Sequence, residues 1–211
     1  RAQIMLEVMD FLDEICGDKA ILGCGVPLAP AFGKVEYCRI GPDIGKGWEM
    51  GSGKMMNMRE RISTKNAIEN VICRRHLHDQ VFKNDPDVFM LRDDKCKLDE
   101  HQKHTLFLIN HVFGGLTFTS DDISEYDEET MDLYKSVFPH HEKEILNVKQ
   151  EDGIYEVRFL MLKSEYLLAT NFTDDKQKYS LPGGKYYYRQ RGFVPGRTNL
   201  ELEPFQSHVF L

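Results

Sequence analysis

Residues 35–49 read VEYCRIGPDIGKGWE, and the interpretation of this stretch decides the fold. Val35 to Ile40 is a short run rich in apolar and β-branched residues that Gly41-Pro42 closes, the pattern of a buried strand entering a turn. Polar groups crowd the exit. Arg39 stands near the end of the run, Asp43 follows four positions later, and Trp48 is the chain's only tryptophan. In parallel α/β folds, ligand-handling groups collect at the carboxyl ends of strands, where loops converge. A guanidinium there can fork onto hydroxyls or a carboxylate, and an aspartate beside it can serve as a general acid or base. A structural salt bridge between the two is the other reading.

Working outward, the same strand–loop–helix rhythm recurs on both sides. AILGCGVPL, from Ala20, reads as a buried strand followed by a Gly/Pro loop. Before it, Ile4, Met5, Val8, Met9, Leu12 and Ile15 recur at helical spacing. After the opening stretch, a Gly/Met-rich loop leads into a helix over residues 64–73. DVFML, from Asp87, reads as a third strand. A helix with Leu98, Leu106, Ile109 and Val112 apolar comes next, then a fourth strand, LTFTS, from Leu116. Asp127 is placed to cap a further helix, ahead of Glu128 and Glu129. Repeated units of this kind predict a parallel sheet with right-handed crossovers.

The pattern changes near residue 145. From there the chain has short strands, TDDK and PGGK turns and no helical period, which predicts an antiparallel sheet, a small β-sandwich. The expected division is therefore an α/β part over residues 1–144 and an antiparallel β-domain over 145–211.

Composition narrows the partners. The 211 residues are 41% hydrophobic and 29% charged, ordinary values for a globular protein able to bury a core. A net charge of -7 argues against a nucleic-acid or anionic-membrane surface, both of which need basic patches. There is no run of about 18 apolar residues to span a bilayer. The first residues mix acids into an apolar pattern without a small-residue cleavage site, so no signal peptide is read there. Five cysteines, two of them inside apolar segments, suit reduced thiols in a cytoplasmic protein.

Four polar clusters sit at expected strand ends: Cys24-Gly25, Arg39 to Asp43, NDPD from Asn84, and TSDD from Thr119. Turn formation explains the last two equally well. His76 and His78 in HLHD chelate a metal only if the segment is extended, and no cysteine or carboxylate completes a zinc spacing, so a surface helix end is the reading. His140-His141 and Glu142 read as a solvated helix terminus. GCG and GSGK match neither a Walker nor a dinucleotide fingerprint. No metal and no cofactor is expected. Met50 to Met58 read as gap-filling or mobile. Tyr186 to Tyr188 alternate across a strand, and Asn171 in NFT accepts a glycan only in a secreted protein.

Three long motifs in order, LGCGVPLAPAFGKVEYCRIGPDI, RERISTKNAIENVICRRHLHDQVFKNDPDVFMLRDD and INHVFGGLTFTSDDISEYD, resemble the later part of α-galactosidase-like enzymes of glycoside hydrolase family 36, in clan D. The resemblance covers about residues 1–140. It implies the C-terminal half of a (β/α)8 TIM barrel, strands five to eight, followed by the antiparallel β-domain. It also implies a retaining mechanism on terminal α-galactosides. Asp43 takes the place of the acid/base carboxylate, and Arg39 that of a group bonded to the sugar. Cys24 and Gly25 match the pair lining the galactose pocket. Asp87 and Asp121 become supports from strands seven and eight, and Trp48 a candidate for the aglycone side. The family's nucleophilic aspartate lies before the helix that opens this chain. The resemblance therefore implies the C-terminal portion of a longer enzyme, inactive alone, or a chain that associates with itself. A related α-N-acetylgalactosaminidase or transglycosylase, and a non-catalytic self-associating module, are the alternatives.

Overall fold

The computed structural model describes residues 2–49, 51, 58, 61–181 and 199–211. The chain divides into two compact units, residues 1–97 with 109–121, and residues 98–108 with 122–211. Among the described residues no helix is long and apolar enough to cross a membrane. The aromatic run Tyr186 to Tyr188, the PGGK turn and most of the Met50 to Met58 stretch lie outside the described residues.

The first unit is built on short parallel strands. Helix α1 spans Ala2–Cys16, strand β1 Leu22–Gly23, helix α2 Leu28–Ala31 and strand β2 Tyr37–Arg39. Helix α3, Thr64–Cys73, follows the expected bounds. Ser63 caps it by accepting the Asn66 N–H at 3.0 Å, and Ala67, Ile68, Val71 and Ile72 form its buried face. Strand β3 is Lys83–Asp85, β4 is Val88–Phe89, and β5 is Phe118–Thr119. Strand β1 pairs with β2, β2 with β3, and β4 with β5, all in parallel.

Pro86 and Asp87 separate β3 from β4. Proline has no N–H for a ladder, and Asp87 takes φ 75°, so the pairing shifts from one neighbour to the other at this point. The sequence reading began the third strand at Asp87. The structure places Asn84 and Asp85 inside a strand that begins earlier, because the Asn-Asp-Pro-Asp composition hides it behind turn residues.

The second unit contains the first part of helix α4, Glu100–Phe113, which the division crosses at Leu108. Helix α5, Glu128–Lys135, is capped by Asp127 as expected, the carboxylate accepting the Thr130 N–H at 2.8 Å. Strands β6 (Glu144–Glu151), β7 (Ile154–Met161), β8 (Ser164–Asn171) and β11 (Ser207–Phe210) form an antiparallel sheet in the order β11-β8-β7-β6. Strands β9 (Gln177–Ser180) and β10 (Asn199–Leu202) form a second pair. The two sheets share a core of Ile154, Leu167, Ala169, Tyr179, Leu202 and Phe210. Asp152-Gly153 joins β6 to β7 with both residues at positive φ, the two-residue turn that matches strand twist. A Cβ on Gly153 would lie 2.2 Å from Thr173 Cγ2, so glycine is required there on two counts.

Asn171 of the NFT stretch has no exposed surface. Its Nδ2 donates to the carbonyls of Asp175, Leu202 and Glu203, and its Oδ1 accepts from the Thr173 N–H and hydroxyl. A side chain so engaged is closed to glycosylation in the folded protein. His140 and His141 follow α5 rather than ending it, and His140 Nε2 meets Lys143 Nζ at 3.2 Å.

Two histidines of this unit make its stability depend on pH. Burial is the largest influence on His104 and His208 and lowers each from 6.5 to about 4. His208 and His101 reinforce the effect at His104, and His101 does so at His208. Unfolded, both protonate near pH 6.5; folded, they resist protonation until about pH 4. Stability is therefore fully present above pH 6.5 and is lost as pH falls through that window. Unfolding free energies measured by urea at pH 7 and pH 5 are expected to differ in that direction. The double variant His104→Gln/His208→Gln should show a shallower pH slope, and an unchanged slope would contradict this.

Candidate active site

The site grows from a register. Parallel pairing sets Arg39, the last residue of β2, opposite Asp85, the last of β3. Arg39 Nε donates to Asp85 Oδ2 at 2.9 Å, and the Asp85 side chain is 0% exposed against 14% for Arg39. The other Asp85 oxygen accepts the Asp87 N–H at 2.9 Å. Arg39 Nη1 lies 2.8 Å from Asp87 Oδ1 and 3.5 Å from Asp43 Oδ1. One guanidinium thus gathers three carboxylates from the ends of two neighbouring strands.

Asp87 is the strained member. A non-glycine residue in the left-handed region costs on the order of 1 kcal/mol or more and persists only where its surroundings over-determine it. Here they do. Its N–H is fixed by Asp85, and its carbonyl accepts from Asn110 Nδ2 at 3.1 Å. Its Oδ2 accepts the Ile44 N–H at 2.7 Å, and its Oδ1 meets Arg39. The bond to Ile44 ties the loop carrying Asp43 to the strand.

Electrostatics sort the three carboxylates. Burial pushes the Asp87 carboxyl above the usual value and Asp43 adds to this, while the Ile44 and Val88 N–H groups and Arg39 oppose it without cancelling it. Burial pulls on Arg39 in the other direction, but Asp85 and Asp87 outweigh it and raise the guanidinium further. Asp43 differs by position: its side chain is 68% exposed, facing solvent with its Arg39 contact at the long end of an ion pair. It is the one carboxylate of the three still open to a ligand.

The remaining sequence candidates fall around this hub in different ways. Cys24 and Gly25 follow β1 directly and are exposed, and the Cys24 thiol is near enough to interact with both Cys38 and Arg39. Cys38 is buried on β2, and burial, with Asp85 next, pushes its thiol up to about 11. Trp48 is half-buried. Its carbonyl accepts the Lys65 N–H at 2.9 Å, and Thr64 Oγ1 donates to the Gly45 carbonyl at 2.9 Å, so the loop is strapped to the start of α3. Glycine suits position 45 because a Cβ there would stand 3.1 Å from both Ser63 Cα and the Gly47 carbonyl oxygen, tighter than most real contacts. Glu49 and Arg61 fork together at 2.9 and 3.0 Å at the loop's far end.

Asp121 belongs to a second clasp. Its side chain is 0% exposed, Oδ1 accepts from Arg92 Nη1 at 2.7 Å, and Oδ2 accepts the Leu91 and Arg92 N–H groups. It joins the end of β4 to the end of β5. His78 of HLHD accepts the Asn84 N–H on Nδ1 at 3.1 Å and so supports β3. Among the described residues no three or more His, Cys, Asp or Glu side chains are grouped to hold a metal ion. Asp85 enters the sequence reading only as part of the NDPD cluster, whose individual candidate is Asp87, two residues further on.

No protein-family model matches the sequence. Solved structures do resemble it. TtGalA, the α-galactosidase of Thermus thermophilus, in complex with p-nitrophenyl α-D-galactopyranoside, superposes with a TM-score of 0.62 and 22% identity, covering 76% of this chain and 32% of that one. The same enzyme in complex with stachyose gives 0.59 and 24%, covering 64% of this chain and 30% of that one. The chain spans about a third of the length of the enzyme it matches. At this identity the likeness shows a shared fold: the mixed α/β architecture with an antiparallel sheet is similar to part of an α-galactosidase.

The hub makes a stability prediction that separates its members. Arg39→Met leaves the Asp85 carboxylate buried without its partner and is expected to cost about 3–5 kcal/mol in urea unfolding. Asp43→Asn touches an exposed group and should stay within about 0.5 kcal/mol. Equal effects of the two substitutions would contradict the assignment of Asp85 and Arg39 as the structural pair.

Proposed function

We propose that this chain is part of a retaining α-galactosidase-type glycoside hydrolase, and that Asp43 is its acid/base carboxylate. The observation that carries the reading is the Arg39 hub, which holds an exposed aspartate at the end of a parallel strand in a fold similar to that of an α-galactosidase. In this reading the four strand positions β1, β2, β3/β4 and β5 are consecutive strands of a (β/α)8 barrel. The antiparallel sheets form the C-terminal domain. The substrate is a terminal α-galactoside, the ligand class held by TtGalA.

Each residue then has a task. Asp43 protonates the glycosidic oxygen as the bond to the anomeric carbon breaks, and afterwards takes a proton from the water that releases the sugar. Arg39 keeps Asp43 in place and offers its remaining amino group to sugar hydroxyls. Asp85 and Asp87 hold the guanidinium fixed, so its donors are aimed before the ligand arrives. Cys24 and Gly25 line the pocket beside Arg39, and Trp48 borders the leaving-group side. Asp121, with Arg92, ties the ends of β4 and β5 together. The nucleophile is a carboxylate from a segment preceding residue 1, at the roughly 5–5.5 Å separation of retaining enzymes.

In a protein containing that segment, Asp43→Asn is expected to lower kcat/KM about 10²–10⁴-fold on an α-galactoside with a poor leaving group. Aryl galactosides, which need less protonation, should lose less, and azide should restore turnover by attacking the glycosyl-enzyme without base assistance. Wild-type turnover in that variant would remove Asp43 from the mechanism.

A further inference from the structure

We propose that Asp87 is a positioning residue for the acid/base carboxylate: it stops Asp43 from closing onto Arg39, so that Asp43 stays able to carry a proton and hand it over. The inference rests on the glycosidase reading and adds to it a member that acts through Asp43 rather than on the substrate. Both carboxylates approach the same nitrogen. Arg39 Nη1 is 2.8 Å from Asp87 Oδ1 and 3.5 Å from Asp43 Oδ1. The first distance is that of a charge-assisted hydrogen bond, and the second lies beyond the range of about 2.7–3.2 Å in which N–H···O bonds form. A general acid needs that looseness. A carboxylate locked onto a guanidinium is favoured in its ionised form and fixed in orientation, so it neither takes up a proton readily nor turns toward a leaving oxygen.

Asp87 is built to win this competition. Its N–H donates to Asp85 Oδ1 at 2.9 Å and its carbonyl accepts from the buried Asn110 at 3.1 Å, which together hold its backbone at φ 75°. The Asp87 carboxylate therefore enters the hub on a rigid mount, whereas Asp43 comes from the loop beyond Gly41-Pro42. Asp85 grips Arg39 Nε at 2.9 Å, so the guanidinium does not swing from Asp87 toward Asp43. Repulsion works the same way, since Asp43 is among the influences that push the Asp87 carboxyl up, after burial. The second Asp87 oxygen limits the loop itself, by accepting the N–H of the next residue, Ile44, at 2.7 Å. Further along, the loop is fastened through its carbonyls, Gly45 to Thr64, Lys46 to the Lys97 N–H at 2.7 Å and Trp48 to Lys65. Asp43 is thus placed by a tether on one side and a gap on the other, and Asp87 makes both.

Asp87→Asn isolates the gap. Asparagine tolerates the left-handed backbone, and its side-chain carbonyl can still accept the Ile44 N–H, but its amide nitrogen cannot accept from Arg39. Nη1 is then left to Asp43. In a protein containing the segment that precedes residue 1, this variant is expected to lower kcat about tenfold or more on an α-galactoside with a poor leaving group, with KM little changed. Aryl galactosides with good leaving groups should lose much less, a dependence that loss of folded enzyme does not produce. Added to Asp43→Asn, the substitution should cause no further loss, because both act on one proton transfer. An experimental structure of Asp87→Asn should show Asp43 closed onto Arg39 Nη1. Equal losses on all leaving groups, wild-type turnover in Asp87→Asn, losses that multiply in the double variant, or an unchanged gap between Asp43 and Arg39 would overturn this proposal and leave the glycosidase reading intact. Wild-type turnover in Asp43→Asn would overturn both.

Discussion

The bond between Arg39 and Asp85 is the contact on which the strand ends depend. Neither partner is sustainable alone. A carboxylate with no exposed surface needs a cation, and a guanidinium that is 14% exposed needs carboxylates around it. Parallel pairing of β2 and β3 brings the two together, and their union in turn fixes which residues stand at the open edge. Asp87 follows from this, since Asp85 orients its N–H and Arg39 its carboxylate. The loop after β2 follows from Asp87, through the Ile44 N–H.

A division of labour results. Asp85 and Asp121 have every oxygen engaged and no exposure, each joining two adjacent strands through an arginine. Asp87 stands between, bound on both oxygens yet raised in pKa by its burial and held in a strained backbone conformation. Strain of this kind gathers where a site is built ahead of its ligand. Asp43 alone is mostly exposed while remaining within the guanidinium's reach. Two carboxylates with both oxygens engaged, Asp85 and Asp87, thus share one guanidinium with an exposed third, Asp43.

Much of this was legible in the residues. Ser63 ahead of α3 and Asp127 ahead of α5 announce themselves as caps, because a short oxygen-bearing side chain before a helical period has few other uses. The four-residue step from Arg39 to Asp43 was visible, and so was the choice between site and salt bridge. The structure shows the salt bridge, long toward Asp43 at 3.5 Å and close toward Asp85 and Asp87 at 2.9 and 2.8 Å. Asp85 itself was hidden for a physical reason: two- and three-residue strands offer too little periodicity to read, and Asn-Asp-Pro-Asp has the composition of a turn. Register between distant strands, which sets Arg39 beside Asp85 across 46 residues, leaves no local trace. The positive φ of Asp87 and the Arg92–Asp121 clasp are tertiary outcomes of the same kind.

The central claim is that the Arg39 hub presents Asp43 to the bond being cleaved. An experimental structure of the protein with galactose bound tests it most directly. The account predicts the anomeric oxygen within about 3 Å of an Asp43 carboxylate oxygen, with Arg39 still paired to Asp85 and Asp87 and bonded to the sugar. Galactose bound away from the ends of β1 and β2, or an Asp43 carboxylate turned away from the anomeric oxygen, would contradict it.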